Sequence, residues 1–210
     1  MSITVIARFQ PRPGAAADVE RLLRGMIPPT RGEPGCQRYD QLVERDQMAA
    51  QKWADLEAQL QRRYDLVPNL VEVVKGYAKH EADTLQAVTE ARAKVGSMQV
   101  SKDILNNPES LNKFQQAQGE LSGALSRLMV VVEKYPDLKA NQNFMDLQKQ
   151  LEGTENRINV ERRNFNETVQ VYDTKLLRFP TNIIAGMFGF TKKPYFQAQA
   201  GSEAAPKVNF

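Results

Sequence analysis

Three long stretches of this chain place apolar residues three and four positions apart, the spacing that lines one face of an α-helix. The first covers residues 40–95 and includes Trp53, Leu56, Leu60, Tyr64, Val67, Leu70, Val71, Val74, Tyr77 and Ala78, then Leu85 and Val88. Pro68 lies inside it and predicts a kink over residues 64–68, because proline removes a backbone donor and crowds the preceding turn. Gly96 suits its end. The second opens with Asn107-Pro108-Glu109, a capping side chain, a first-turn proline and an acid that complements the helix dipole. Leu111, Phe114, Gln118, Leu121, Leu125, Leu128, Val132 and Tyr135 follow, with only Gln118 polar, and Pro136 marks the end. The third carries Phe144, Leu151, Ile158, Phe165, Tyr172 and Phe179 seven apart, a repeat that keeps one seam against its neighbours. Its companion seam, Leu147, Glu155, Arg162, Val169 and Leu176, is less apolar, and Pro180 stops the helix.

These runs predict a mostly α protein, a long antiparallel helical bundle with turns near 96–107 and 135–137 and no strand beyond residue 45. Leu151, Ile158, Phe165 and Tyr172 should be buried, and Lys149, Arg163 and Gln170 exposed.

The first 38 residues have another character. Ile3, Val5, Ala7 and Phe9 alternate with Thr4, Ile6, Arg8 and Gln10, a strand-like period of two. Val19, Leu22, Leu23 and Met26 have helical spacing, and Glu33-Pro34-Gly35 reads as a turn. All six basic residues of this segment are Arg, whereas beyond it Lys outnumbers Arg by 13 to 9. VIARFQPRPG, a helix, then EPGCQRYD resembles the opening of the antibiotic biosynthesis monooxygenase family over about 40 residues. That resemblance implies a β-α half of a ferredoxin-like fold, lacking the strand that would sit between its own two. Both strands would be edges, which is unfavourable unless covered. Residues 1–38 therefore read as a fused fragment rather than an independent domain, residues 39–196 as the helical bundle with a C-terminal hook, and residues 197–210, rich in Ala, Gln, Gly and Ser, as a disordered tail.

Residues 155–196, ENRINVERRNFNETVQVYDTKLLRFPTNIIAGMFGFTKKPYF, resemble the C-terminal signature of the LemA family. The steps Arg162-Arg163, Phe165-Asn166 and Tyr172-Asp173 follow the family pattern, although Asp173 stands where Asn is usual. Arg62-Arg63 in QLQRRYDLVPNL is another family-like element, placed to pair with acids of the third helix. The resemblance implies a non-enzymatic scaffold or interaction protein of the bacterial envelope, usually tethered by an N-terminal anchor. No run here approaches the roughly 18 apolar residues that span a bilayer, and residues 3–7 are too short for a signal-peptide core. This sequence alone therefore points to the cytosol.

The chemistry is sparse. The net charge is +3, and residues 39–210 balance 22 basic against 22 acidic groups, which argues against nucleic acid. Cys36 and His80 are the only residues of their kinds, too few for a Cys/His metal site. His80, in KHEAD, reads as a solvated helix residue. No cofactor, metal or catalytic set is expected. Asn159, Asn166 and Asp173 stand seven apart beside the apolar seam, near Arg162 and Arg163. They read either as a polar strip that fixes helix register or as a surface that recognises a protein partner; a homo-oligomer is compatible with both. After Pro180, Ile183, Ile184, Met187, Phe188 and Phe190 form an apolar segment too short to span a membrane. It reads either as a cap on the bundle or as a docking segment for a membrane surface or partner, aided by Lys192 and Lys193. Two rival readings remain at this point: a monooxygenase-like activity from the N-terminal segment, and a small-molecule carrier using the bundle interior.

Overall fold

The computed structural model describes residues 34–78, 80–98 and 104–197. Among them the chain is helical: α1 (Pro34–Tyr77), α2 (Ala82–Gly96), α3 (Pro108–Val132), α4 (Pro136–Lys139), α5 (Gln142–Leu177) and α6 (Thr181–Phe188), with a 3-10 turn at Ile104–Asn106. No strand occurs among the described residues. The expected strand over residues 3–9 lies outside them, as does the expected tail beyond Gln197. The turn expected at Glu33-Pro34-Gly35 is not formed at its second and third positions. Pro34 and Gly35 are helical, and α1 runs on through the composition boundary at Arg38.

The first apolar run is two helices, not one. α1 stops at Tyr77 and the chain reverses through Ala78, His80 and Glu81 before α2. Gly76 weakens the last turn of α1. Reversal also lets Leu85, Val88 and Val95 enter the same core as Val67, Leu70 and Val74, where a single rod would leave them in water. His80 is therefore an exposed turn residue rather than a helical one. Tyr135 Oη donates to Glu81 Oε1 at 3.2 Å and Asn141 Nδ2 donates to Tyr77 Oη at 2.9 Å, which ties this turn to the one around α4.

α1 passes through Pro68 without interruption. Proline leaves the carbonyl four residues earlier, that of Tyr64, without its helical donor. Arg92 of α2 supplies one: its Nε donates to Tyr64 O at 3.2 Å, and its guanidinium lies 3.9 Å over the Tyr64 ring. Gly96 ends α2 against the same ring, since a methyl built on Gly96 would lie 2.6 Å from the Tyr64 hydroxyl. Pro136 does more than close the second run. α3 already ends at Val132, and Pro136 opens the short α4, which buries Leu138.

The chain divides into two compact units. The larger holds the described parts of Ala50–Glu167 and Lys193–Phe210. Trp53 meets Phe114 and Phe165, whereas ten residues later Arg63 meets Gln118 and Glu155. α5 therefore runs antiparallel to α1, and α3 parallel to it. α2 packs on α3, and the Glu81–Tyr135 and Lys94–Glu120 pairs show that these two are antiparallel. The smaller unit holds the described parts of Met1–Ala49 and Thr168–Lys192. Its core is Leu42, Tyr172, Leu176 and Ala185, with Ile184 and Phe190 packed against them.

The α5 seam is buried as expected at Leu151, Ile158, Phe165 and Tyr172, and Lys149, Arg163 and Gln170 are exposed. The heptad repeat stops short of Phe179. α5 ends at Leu177, so Phe179 leaves the seam and is 80% exposed.

Candidate partner-binding site

Arg63 comes from the buried face of α1 and is 2% exposed. Its Nη1 donates to Glu155 of α5 at 2.9 Å and to Ser122 of α3 at 2.6 Å. Its Nη2 donates to the Gln118 side chain and, at 3.4 Å, to the Gln118 carbonyl. The expected pairing of the Arg62-Arg63 step with an acid of the third helix is thus made by Arg63. It also explains Gln118, the one polar residue in the α3 seam, which is the buried acceptor for this guanidinium.

A short C-terminal strap lies on the same unit. Asn166 of α5 brackets Phe196: its Nδ2 donates to Phe196 O at 2.8 Å and its Oδ1 accepts from Phe196 N at 2.8 Å. Gln115 of α3 does the same for the flanking residues, donating to Tyr195 O at 3.2 Å and accepting from Gln197 N at 2.9 Å. The Phe196 ring enters the aromatic cluster, 6.4 Å from Trp53. Asn166 and Gln115 therefore hold residues 195–197 by their backbone, and the Phe196 ring anchors them in the aromatic cluster. Neither Gln115 nor Phe196 stood out in the sequence, because their roles depend on segments about eighty residues apart.

An open groove of about 1190 Å³, lined in part by Phe196 and Gln197, runs over the larger unit. Gly119 and Gly123 of α3 line it with Arg127, Asn159 and Arg162. The structure thus separates the five polar residues read from the α5 pattern. Asn159 and Arg162 line the groove, Asn166 holds the strap, and Arg163 is exposed elsewhere. Asp173 is buried in the smaller unit and engaged there. Its neighbour Tyr172 donates to Thr191 O at 3.0 Å. Burial, with Asp46 and Asp173 adding to it, raises the Tyr172 hydroxyl well above the usual tyrosine range.

α6 divides the apolar C-terminal residues. Ala185 is buried, Ile184 and Phe190 pack on the small core, and Phe188 lies 4.7 Å from the Tyr39 ring. Gly189, at φ 73°, caps α6 in the left-handed region, and Phe190 N donates to Ala185 O at 3.0 Å. Ile183 and Met187, one turn apart, remain 54% and 70% exposed. Lys193, expected beside them in solvent, is buried and engaged, which leaves Lys192 exposed. No helix among the described residues is long and apolar enough to cross a membrane. Among the same residues no cluster of His, Cys, Asp or Glu could hold a metal ion.

A sequence model of the LemA family matches residues 52–210, about three quarters of the chain. The chain belongs to the LemA family. The match takes in the Arg63 clamp, the strap, the groove and α6. A second model, for antibiotic biosynthesis monooxygenases, matches residues 2–63, so the two overlap along α1. Among relatives of this LemA-family chain, the magnetosome protein MamQ 2 of Paramagnetospirillum magneticum is 26% identical over 182 residues, covering 79% of this chain and 67% of the relative. Protein LemA of Metamycoplasma hominis is 26% identical over 155 residues, covering 73% and 67%. A candidate monooxygenase of Mycobacterium tuberculosis is 55% identical over 38 residues, which cover 18% of this chain and 38% of that protein.

Proposed function

We propose that this LemA-family chain is a non-enzymatic helical interaction protein that works at the bacterial envelope and docks there through α6. The observation that carries this reading is the outer face of α6. Ile183 and Met187 stand in solvent while Ile184, Ala185 and Phe188 hold the helix from behind. Phe179, just before α6, is also exposed. Large apolar groups gathered on one short element, beside the exposed Arg178 and Lys192, suit an anionic membrane surface. Full burial of each such side chain would contribute roughly 1.5–3 kcal/mol, so several must act together. Asn159 and Arg162 of α5, which line the groove, offer a second surface to a protein partner. The relatives matched over most of the chain carry family or cell-structure names rather than the name of a reaction.

The test is flotation of the full chain with phosphatidylserine-containing vesicles. Replacing Ile183 and Met187 by Ser should reduce co-flotation and leave the melting temperature almost unchanged, because neither side chain is packed. Flotation unchanged by the double substitution, or absent in the parent, would remove α6 as the docking element.

A further inference from the structure

We propose that the groove on the larger unit is a receptor for an extended, acidic peptide segment of a partner protein. The strap shows how this surface binds backbone. Asn166 and Gln115, from facing helices, each donate to one carbonyl and accept from one amide of residues 195–197. This is the pairing that a strand neighbour would supply, made here by side-chain amides. One further amide lines the groove farther along. Asn159 stands seven residues before Asn166 on α5, about 10.5 Å along the helix axis. Three residues of extended chain cover about 10 Å, so Asn159 stands one strap length on, exposed and lining open space.

The occupant should be acidic, and the groove leaves it room. Gly119 and Gly123 line the groove, and a methyl added at Gly123 would meet nothing within 4 Å. Of the carboxylates there, Glu155 pairs with Arg63, Glu120 with Lys94, and Glu90 accepts from Gln86. Arg127 and Arg162 have no such partner among the described residues, and Arg162 is half-buried. An unpaired, partly desolvated guanidinium favours a carboxylate in bidentate contact. Nucleic acid fits less well, because its backbone requires a denser array of cations.

The proposal rests on reading the chain as an interaction protein, but it uses a different surface from α6. The experiment is fluorescence anisotropy with the full chain and a short fluorescein-labelled peptide of Glu-Thr repeats. The parent should bind it saturably and should not bind the matching Lys-Thr peptide. Arg127→Gln with Arg162→Gln should weaken binding by about tenfold or more. Gly123→Phe should weaken it equally while keeping every charge, because it fills the groove. All variants should retain the parent's melting temperature and vesicle flotation. Four results would each overturn the proposal: no saturable binding by the Glu-Thr peptide, equal binding of the Lys-Thr peptide, undiminished binding by Gly123→Phe, or tighter binding of an oligothymidylate of the same length. Loss of α6 docking with peptide binding intact would remove the envelope reading and leave the groove standing.

Discussion

Arg63 makes bonds from α1 to both α3 and α5 while almost wholly buried. Arg63→Met would keep the side-chain stem but leave Gln118 with a buried, unpaired oxygen. Glu155, with its side chain 45% exposed, can return to water. The expected loss is about 2–4 kcal/mol, below that of a fully buried broken pair, and denaturant unfolding measures it. Tyr172 carries a pH-dependent share of stability. Its folded-state pKa is raised, chiefly by burial, above the unfolded value of about 10. Below pH of about 10 both states hold the proton and the contribution is complete. Above it the unfolded chain releases the proton first, so stability falls as pH rises toward the folded-state value. Tyr172→Phe removes that dependence together with the bond to Thr191. Melting temperatures taken across the alkaline range should therefore fall less steeply in the variant than in the parent.

At the scale of elements, the unbroken passage of α1 through Pro68 is explained by a residue of another helix. Arg92 occupies the acceptor that proline orphans, the Tyr64 carbonyl. This predicts coupling between two positions that do not touch in sequence. Arg92→Met alone should cost about 1–2 kcal/mol by stranding that carbonyl. In a Pro68→Ala background the helical amide returns, and the same substitution should cost less. A double-mutant cycle in denaturant measures the difference, and equal costs in both backgrounds would remove Arg92 from that role. The orphaned carbonyl followed from proline's own chemistry. The donor that satisfies it lies 24 residues after Pro68, beyond the reach of a local pattern. The division of the first apolar run has a similar origin. Spacing of three and four continues through residues 78–81, and the reversal there is favoured by the packing of α2 on α3 and on the core of α1.

At the scale of the whole molecule, the LemA-family match begins at residue 52. A chain lacking residues 1–33 should therefore keep cooperative unfolding, with a melting temperature close to the parent's. Loss of a cooperative transition in calorimetry would show that the monooxygenase-like segment is part of the fold. α1 itself lies in both family matches, because its residues 52–63 satisfy the LemA and the monooxygenase sequence patterns together.

The sequence by itself determined the helical character, the α5 seam, the cap at Asn107, the end of a helix at Gly96, and the family. Each of these is written in contacts along one helix face or in one contiguous stretch: Asn107 Oδ1 accepts from Ser110 N three residues on, at 3.1 Å. The pairing of an Arg62-Arg63 residue with an acid of the third helix was also legible, through the resemblance of that step to the family pattern. Only the tertiary structure decided that Gln118 and Ser122 complete that clamp, that Asn166 and Gln115 hold Phe196 by its backbone, and that Ile183 and Met187 face water while Ile184 does not. Those outcomes depend on which helices meet and at what rotation. Rotation is set by the packing of the core as a whole, a sum over many contacts that no local spacing contains.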